Sequence, residues 1–272
     1  MPNSDSNLHT PSEFSHASLE EHSPRGKSAA YAQFPAWKRI LDVTLVILAF
    51  PFLIPVGIII YTFIKFASPG PAFFRQQRVG YLRRRFMCLK FRTMKVNADT
   101  GVHQAHLKHL MTTNQRTQKL DCAGDKRLIP WGMWLRAAAV DELPQLFNVL
   151  RGDMSLVGPR PCTPYEFELY SEHHKRRCEA PPGLTGLWQV SGKNRTTFEE
   201  MMDLDLKYAR EMSLWLDLKI IVLTVPAILK LIWETKFRPA IGLTPLARAA
   251  QAGTEFPAKT AGPLPGTVPA RD

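Results

Sequence analysis

Asp141 and Glu142 stand side by side in a stretch, Arg136 to Pro161, that also carries Arg136, Arg151 and Arg160. A helix-patterned apolar run follows them at Leu143, Leu146, Phe147, Val149 and Leu150. Carboxylates among arginines at a helix start suit chemistry on phosphate. A helix start exposes N–H groups, and arginine meets anionic oxygens with a forked pair of donors. A carboxylate can hold a divalent cation or attack phosphorus. The same two acids would equally serve as first-turn residues that suit the helix dipole.

Further cations lie elsewhere. Lys90-Phe91-Arg92-Thr93-Met94 alternates basic with apolar residues. Beside a membrane it would hold a lipid phosphate or a nucleotide diphosphate, or form a solvated basic face. Ser191 to Arg195, with Lys193, is a polar loop able to touch phosphate. His103, His106 and His109 share one helical face, but no carboxylate or cysteine is placed to complete a metal site. Cys88, Cys122, Cys162 and Cys178 lack C-x-x-C spacing, which points to neither zinc nor a disulfide framework and fits a reducing compartment.

The elements that position these residues begin after a Ser-, His- and Pro-rich leader, residues 1–36, expected to be disordered. From Val43 to Ile64 there are 22 residues without a charge. As one helix they would measure about 33 Å, enough to cross a bilayer. Pro51 and Pro55 interrupt the run, and both flanks are basic, Lys38 and Arg39 before and Lys65, Arg75 and Arg78 after. By the positive-inside rule both ends belong to the cytoplasm, so a hairpin with arms of about 15 Å is expected over a single pass. The net charge is +11, and Trp37 to Lys95 holds eleven Lys/Arg against one acid, Asp42. A basic segment beside a greasy one suggests anionic lipid and phosphorylated substrates, with nucleic acid as the rival partner.

Downstream, Ala72-Phe73-Phe74 and Phe86 to Leu89 are predicted strands around the basic turn Gly80 to Arg85. Tyr165 to Arg177 is predicted helical, Pro181 to Gly186 a loop, and Leu187 to Val190 a strand. Phe198 to Met212 is an amphipathic helix. Ile220 to Leu229 is an uncharged run of ten residues, too short to span, that would lie in the interface with Trp215 and Trp233 at headgroup depth. Residues from about 239 are Pro-, Ala-, Gly- and Thr-rich and expected to be disordered.

From Trp37 to Lys236 the chain resembles the bacterial sugar transferases, the monotopic polyprenyl-phosphate phosphoglycosyl transferases. The resemblance rests on Lys38-Arg39 with Asp42 ahead of a proline-broken apolar segment, on Phe74 to Gly80, on Lys90 to Met94, on the long block Asp141 to Pro161, and on Pro182 to Val190. It implies an α/β fold: a mostly helical small catalytic domain with short strands (67–238), on an N-terminal re-entrant membrane helix hairpin (37–66) and interfacial amphipathic helices.

It also implies transfer of a sugar-1-phosphate from a UDP-sugar to undecaprenyl phosphate, with release of UMP, at the cytoplasmic face of the bacterial inner membrane. Anionic lipid would be a further partner, nucleic acid would not, and a homo-oligomer is left open. Asp141 would be the nucleophile and Mg²⁺ ligand, and Glu142 its partner. Arg136, Arg160 and Arg177 would bind phosphate, joined by Lys90, Arg92 and Lys193, and Pro55, helped by Pro51, would break the membrane helix. The departures are Ile54 where the family often has Ser before that proline, the apolar run Ala137 to Val140, and Lys193 where arginine is commoner. Two alternatives remain: single displacement with Asp141 as a metal ligand only, and a non-catalytic basic scaffold tethered to the membrane.

Overall fold

A thirty-two-residue helix, α1 (Ala36–Ala67), runs unbroken through Pro51 and Pro55. The computed structural model describes residues 34–96, 111, 127–192 and 196–237, with the side chains of 235–237 excepted. Residues 1–33 of the leader, the tail, the three histidines and Lys193 lie outside the described residues, whereas the end of the expected leader is ordered: Phe34 is buried and Ala36 opens α1. Each proline removes one backbone donor, yet the backbone stays helical on both sides. The break expected at Pro55 and Pro51 is therefore absent, and the segment is one long apolar helix.

One stripe of α1 is buried: Lys38, Asp42 and Val46 before the prolines, Ile60 and Ile64 after them. Val46 packs with Cys88, Leu146, Val149 and Met154, whereas Ile60 and Ile64 pack with Ala72, Phe91 and Ile129. Between them Gly57 faces open space. The opposite face exposes Ile47, Leu48, Phe52, Ile58, Ile59 and Phe66. Among the described residues α1 is the one helix long and apolar enough to cross a membrane.

The ends of α1 are fastened by polar contacts. Lys38 Nζ donates to Val157 O at 2.8 Å, to Tyr208 Oη at 2.9 Å and to Asp217 Oδ2 at 2.5 Å, all buried. Asp42 Oδ1 accepts from Leu156 N and Ser155 Oγ, and Arg39 donates to the carbonyls of Val149 and Leu150. Lys38 and Arg39 are thus structural fasteners as well as a basic flank. At the far end Arg92 donates to Ser68 O and Pro69 O, at 2.8 and 2.7 Å.

The chain then forms an antiparallel hairpin, β1 (Phe73–Val79) and β2 (Arg85–Phe91), longer than the predicted strands but around the predicted turn. After α2 (Gly132–Ala137) comes a 3-10 turn, Val140–Glu142, and then α3 (Gln145–Arg151). The two acids therefore precede the helix instead of opening it, because Pro144 delays its start. Strand β3 (Ser155–Val157) pairs in parallel with β4 (Gly183–Thr185).

Two local expectations are reversed. Gly183 to Thr185, expected as loop, is a strand, while Leu187–Val190, expected as strand, is one helical turn, α6. Tyr165 to Arg177 is not one helix: α4 (Pro164–Leu169) stops before α5 (Glu172–Lys175), and Arg177 lies in a 3-10 turn. Thr163/Glu166 and Thr197/Glu200 are capping boxes that start α4 and α7 (Phe198–Glu211). The last helix, α8 (Leu214–Phe237), continues through Pro226. It buries Asp217 and Ile220 and exposes Trp215, Val222, Val225, Leu229 and Trp233.

Candidate active site

Strand alternation builds the first wall. In the β1–β2 register Gln76 faces Cys88 and Arg78 faces Phe86, so Arg78, Cys88 and Lys90 share one face of the hairpin. Helix α3 docks on β2 through Asn148. Its Oδ1 accepts from Leu89 N at 3.0 Å and its Nδ2 donates to Met87 O at 2.8 Å, imitating a neighbouring strand. Leu146 and Val149 are buried beneath it. That docking brings the acidic turn over the hairpin, and Lys90 Nζ meets Glu142 Oε1 at 3.1 Å.

The second wall is the turn Gly158-Pro159-Arg160-Pro161, locked by backbone. Gly158 N donates to Thr185 O and Gly183 N to Pro159 O, both at 2.9 Å. A Cβ on Gly158 would stand 2.0 Å from Pro181 O, so only glycine allows the two segments to approach. Val79 N donates to Cys162 O at 2.8 Å, Arg78 Nη1 to Pro161 O at 3.1 Å and Arg177 Nη2 to Arg160 O at 2.8 Å. The turn is held from three sides, and Arg160 Nη1 comes within 3.7 Å of Glu142.

Arg78, Lys90, Glu142, Gln145 and Arg160 line the resulting cleft, with Cys88 in its wall. Burial pushes the Cys88 thiol up, so it stays neutral. Burial also draws the Arg78 guanidinium down, opposed by Glu166 and reinforced by Arg160. Three cations face one carboxylate in this lining, a set suited to an anionic ligand.

The expected site residues divide. Glu142, Lys90 and Arg160 converge on the cleft. Asp141 adjoins them in the same turn but is 7% exposed, and Glu142 forms the wall. Arg136 sits at the end of α2, leading into the turn, and is not in the cleft lining.

Two expected phosphate ligands are placed elsewhere. Arg177 is buried, donating to Tyr170 Oη, Arg160 O and Asp205. Arg92 is buried against the end of α1. Their Nη donors are used on protein groups, Arg92 Nε is buried without a hydrogen-bond partner among the described residues, and neither arginine is in the cleft lining. The sequence marks Arg78 only as part of a basic flank and gives no site role to Gln145 or Asn148, yet Arg78 and Gln145 line the cleft and Asn148 docks α3 on β2. The parity shared by positions 88, 90 and, across the hairpin, 78 would have pointed to Arg78.

Among the described residues no three His, Cys, Asp or Glu side chains cluster as a metal cage. Mg²⁺ is ordinarily held by only one or two carboxylates, with water and substrate phosphate completing its shell, and the carboxylates this turn offers are Asp141 and Glu142.

The sequence pattern of the bacterial sugar transferases matches residues 33–231. The galactosyl transferase CpsE of Streptococcus agalactiae is 43% identical over 194 residues, 71% of this chain and 42% of that protein. The exopolysaccharide production protein ExoY of Sinorhizobium fredii is 37% identical over 191 residues, 70% of this chain and 84% of ExoY. A UDP-glucose:undecaprenyl-phosphate glucose-1-phosphate transferase of Caulobacter vibrioides is 44% identical over 201 residues, 71% of this chain and 69% of that enzyme. The chain thus spans less than half of CpsE but most of ExoY.

Proposed function

The chain belongs to the bacterial sugar transferase family, and from that premise we propose that it transfers a sugar-1-phosphate from a UDP-sugar to undecaprenyl phosphate. The observation that carries this is the Asp141–Glu142 turn held against a cleft of Arg78, Lys90 and Arg160. Three cations can hold phosphoryl oxygens while a neighbouring carboxylate reacts.

In the first step an Asp141 oxygen attacks the phosphorus that bears the sugar. The bond from that phosphorus to the bridging oxygen breaks, and UMP leaves with the electron pair. Lys90 and Arg160 hold the oxygens on which charge develops. The phosphosugar stays on Asp141 as an acyl phosphate. An oxygen of the lipid phosphate then attacks the same phosphorus and restores the Asp141 carboxylate. Glu142 either takes a proton from the incoming phosphate or orients the dyad. Mg²⁺ held by Asp141 would supply neutralisation of diphosphate charge.

Both ends of α1 are fastened to the same domain, by Lys38 at its start and by Arg92 at its finish. This supports a re-entrant helix that enters and leaves one face of the membrane. The exposed apolar face of α8, with Trp215 and Trp233, supports a helix lying at headgroup depth. By the positive-inside rule that face is the cytoplasmic one of the bacterial inner membrane. The product would be the first lipid-linked intermediate of an exopolysaccharide or related glycan.

In a second scheme with the same substrates Asp141 only binds metal and the acceptor attacks the donor directly. Purified protein is incubated with a panel of labelled UDP-sugars, Mg²⁺ and undecaprenyl phosphate. Release of UMP with one of them, and a labelled phosphosugar on Asp141 when the acceptor is withheld, are expected. Turnover without a trapped species selects single displacement, and no turnover with any UDP-sugar overturns the function.

A further inference from the structure

Arg78 lines the cleft on the same face of the hairpin as Lys90, and it is 8% exposed. Two of its nitrogens are committed. Nη1 donates to Pro161 O at 3.1 Å and lies 3.7 Å from Glu166 Oε2; Nη2 donates to Gln76 Oε1 at 2.6 Å. Its Nε is buried and has no hydrogen-bond partner among the described residues. Leaving a charged buried donor unsatisfied is costly, and a guanidinium has no neutral form to retreat to. Glu166, the nearest acid, already accepts from Thr163 N in its capping box. Glu142, the carboxylate in the lining, is met by Lys90 and Arg160.

Resting on the proposed transfer reaction, we infer that Arg78 is an anion-binding residue of the cleft, its Nε–H donating to a phosphoryl oxygen while Nη1 keeps the Pro161 turn in place. One side chain would then couple the ligand to the segment that carries Arg160. The phosphoryl oxygen could belong to the diphosphate of the donor or to the monophosphate of the lipid acceptor. A lysine could replace the grip on Pro161 O, but it could not offer a second donor at a fixed angle.

The test measures binding of UDP and, separately, of farnesyl phosphate to the full chain in detergent micelles. The proteins are the wild type, Arg78→Lys and Gln76→Ala. Gln76→Ala removes a structural neighbour of Arg78 without touching Nε, and it is expected to bind as the wild type does. Arg78→Lys is expected to weaken at least one ligand about tenfold or more. Loss for UDP alone identifies the donor diphosphate, and loss for farnesyl phosphate alone identifies the acceptor.

If Arg78→Lys stays within twofold for both while the wild type binds them, the inference is overturned and the transfer reaction is untouched. If the wild type binds neither ligand, the transfer reaction fails and the inference fails with it. Should Arg78→Lys not fold, a structure of the wild type with UDP and with farnesyl phosphate decides. Nε within hydrogen-bonding distance of a phosphoryl oxygen in either complex supports the inference; Nε away from phosphate in both overturns it.

Discussion

Lys38 and Asp217, 179 positions apart, form a fully buried ion pair at 2.5 Å that joins the first turn of α1 to the start of α8. Tyr208 completes it, with its Oη donating to Asp217 Oδ1 at 2.6 Å. The pair therefore joins the apolar helix to the helix with the exposed tryptophans. Removing one partner leaves a buried charge, which costs about 3–5 kcal/mol, whereas replacing both with apolar residues is often nearly neutral. Lys38→Met and Asp217→Leu are each expected to lower the unfolding free energy by roughly that amount. The double variant should lose clearly less than the sum of the two. Thermal or denaturant unfolding in detergent checks this, and strict additivity would mean that the pair is not coupled.

Asp141 and Glu142 are adjacent yet differently placed, the first nearly covered and the second in the cleft wall against Lys90 and Arg160. Asp141→Asn is expected to lower kcat on the order of 10³-fold or more and to abolish the trapped phosphosugar. Glu142→Gln should keep some ability to form that species, because the attacking oxygen remains. UMP release together with mass spectrometry of the intact protein separates the two roles. Near-normal turnover by Asp141→Asn would remove it from the chemistry.

The acidic pair, the Arg160 turn and the β1–β2 hairpin were legible because contiguous residues and period-two alternation specify them. Arg92 and Arg177 were not. An arginine in a sequence announces a need for acceptors, but tertiary pairing decides whether those are ligand oxygens or carbonyls and Asp205. Lys38 likewise looked like a charge at the membrane edge, and its partner lies at the far end of the chain. Gly183 to Thr185 has the composition of a turn. It becomes a strand because Gly158 lets the two backbones approach closely enough to pair.

Lys90 and Arg92, two residues apart, are expected to fail differently when changed. Lys90 faces the cleft and meets Glu142; Arg92 holds the carbonyls at the end of α1. Lys90→Gln should lower kcat/KM about 100-fold with little change in Tm. Arg92→Gln should lower stability by roughly 2–3 kcal/mol while the folded fraction keeps a near-normal KM for the donor. Steady-state kinetics and thermal melts on the same preparations provide the comparison. A large KM increase in Arg92→Gln, with unchanged Tm, would return that residue to the binding site.

Asp205 carries the clearest pH signature. Burial pushes its carboxyl up to about 6 from an ordinary 3.8, even with Arg177 beside it. The folded state therefore binds this proton more tightly than the unfolded state. The contribution is fully present below about pH 3.8 and is lost as the pH rises through about 6, by at most about 3 kcal/mol. Asp205→Asn cannot titrate and should lack this component. The stability of the wild type relative to Asp205→Asn is thus expected to fall between pH 4 and pH 6.5 and then level off. Unfolding of both proteins across that range measures it. A difference that rises with pH would mean that the pairing with Arg177 outweighs burial and holds the carboxyl below its ordinary range.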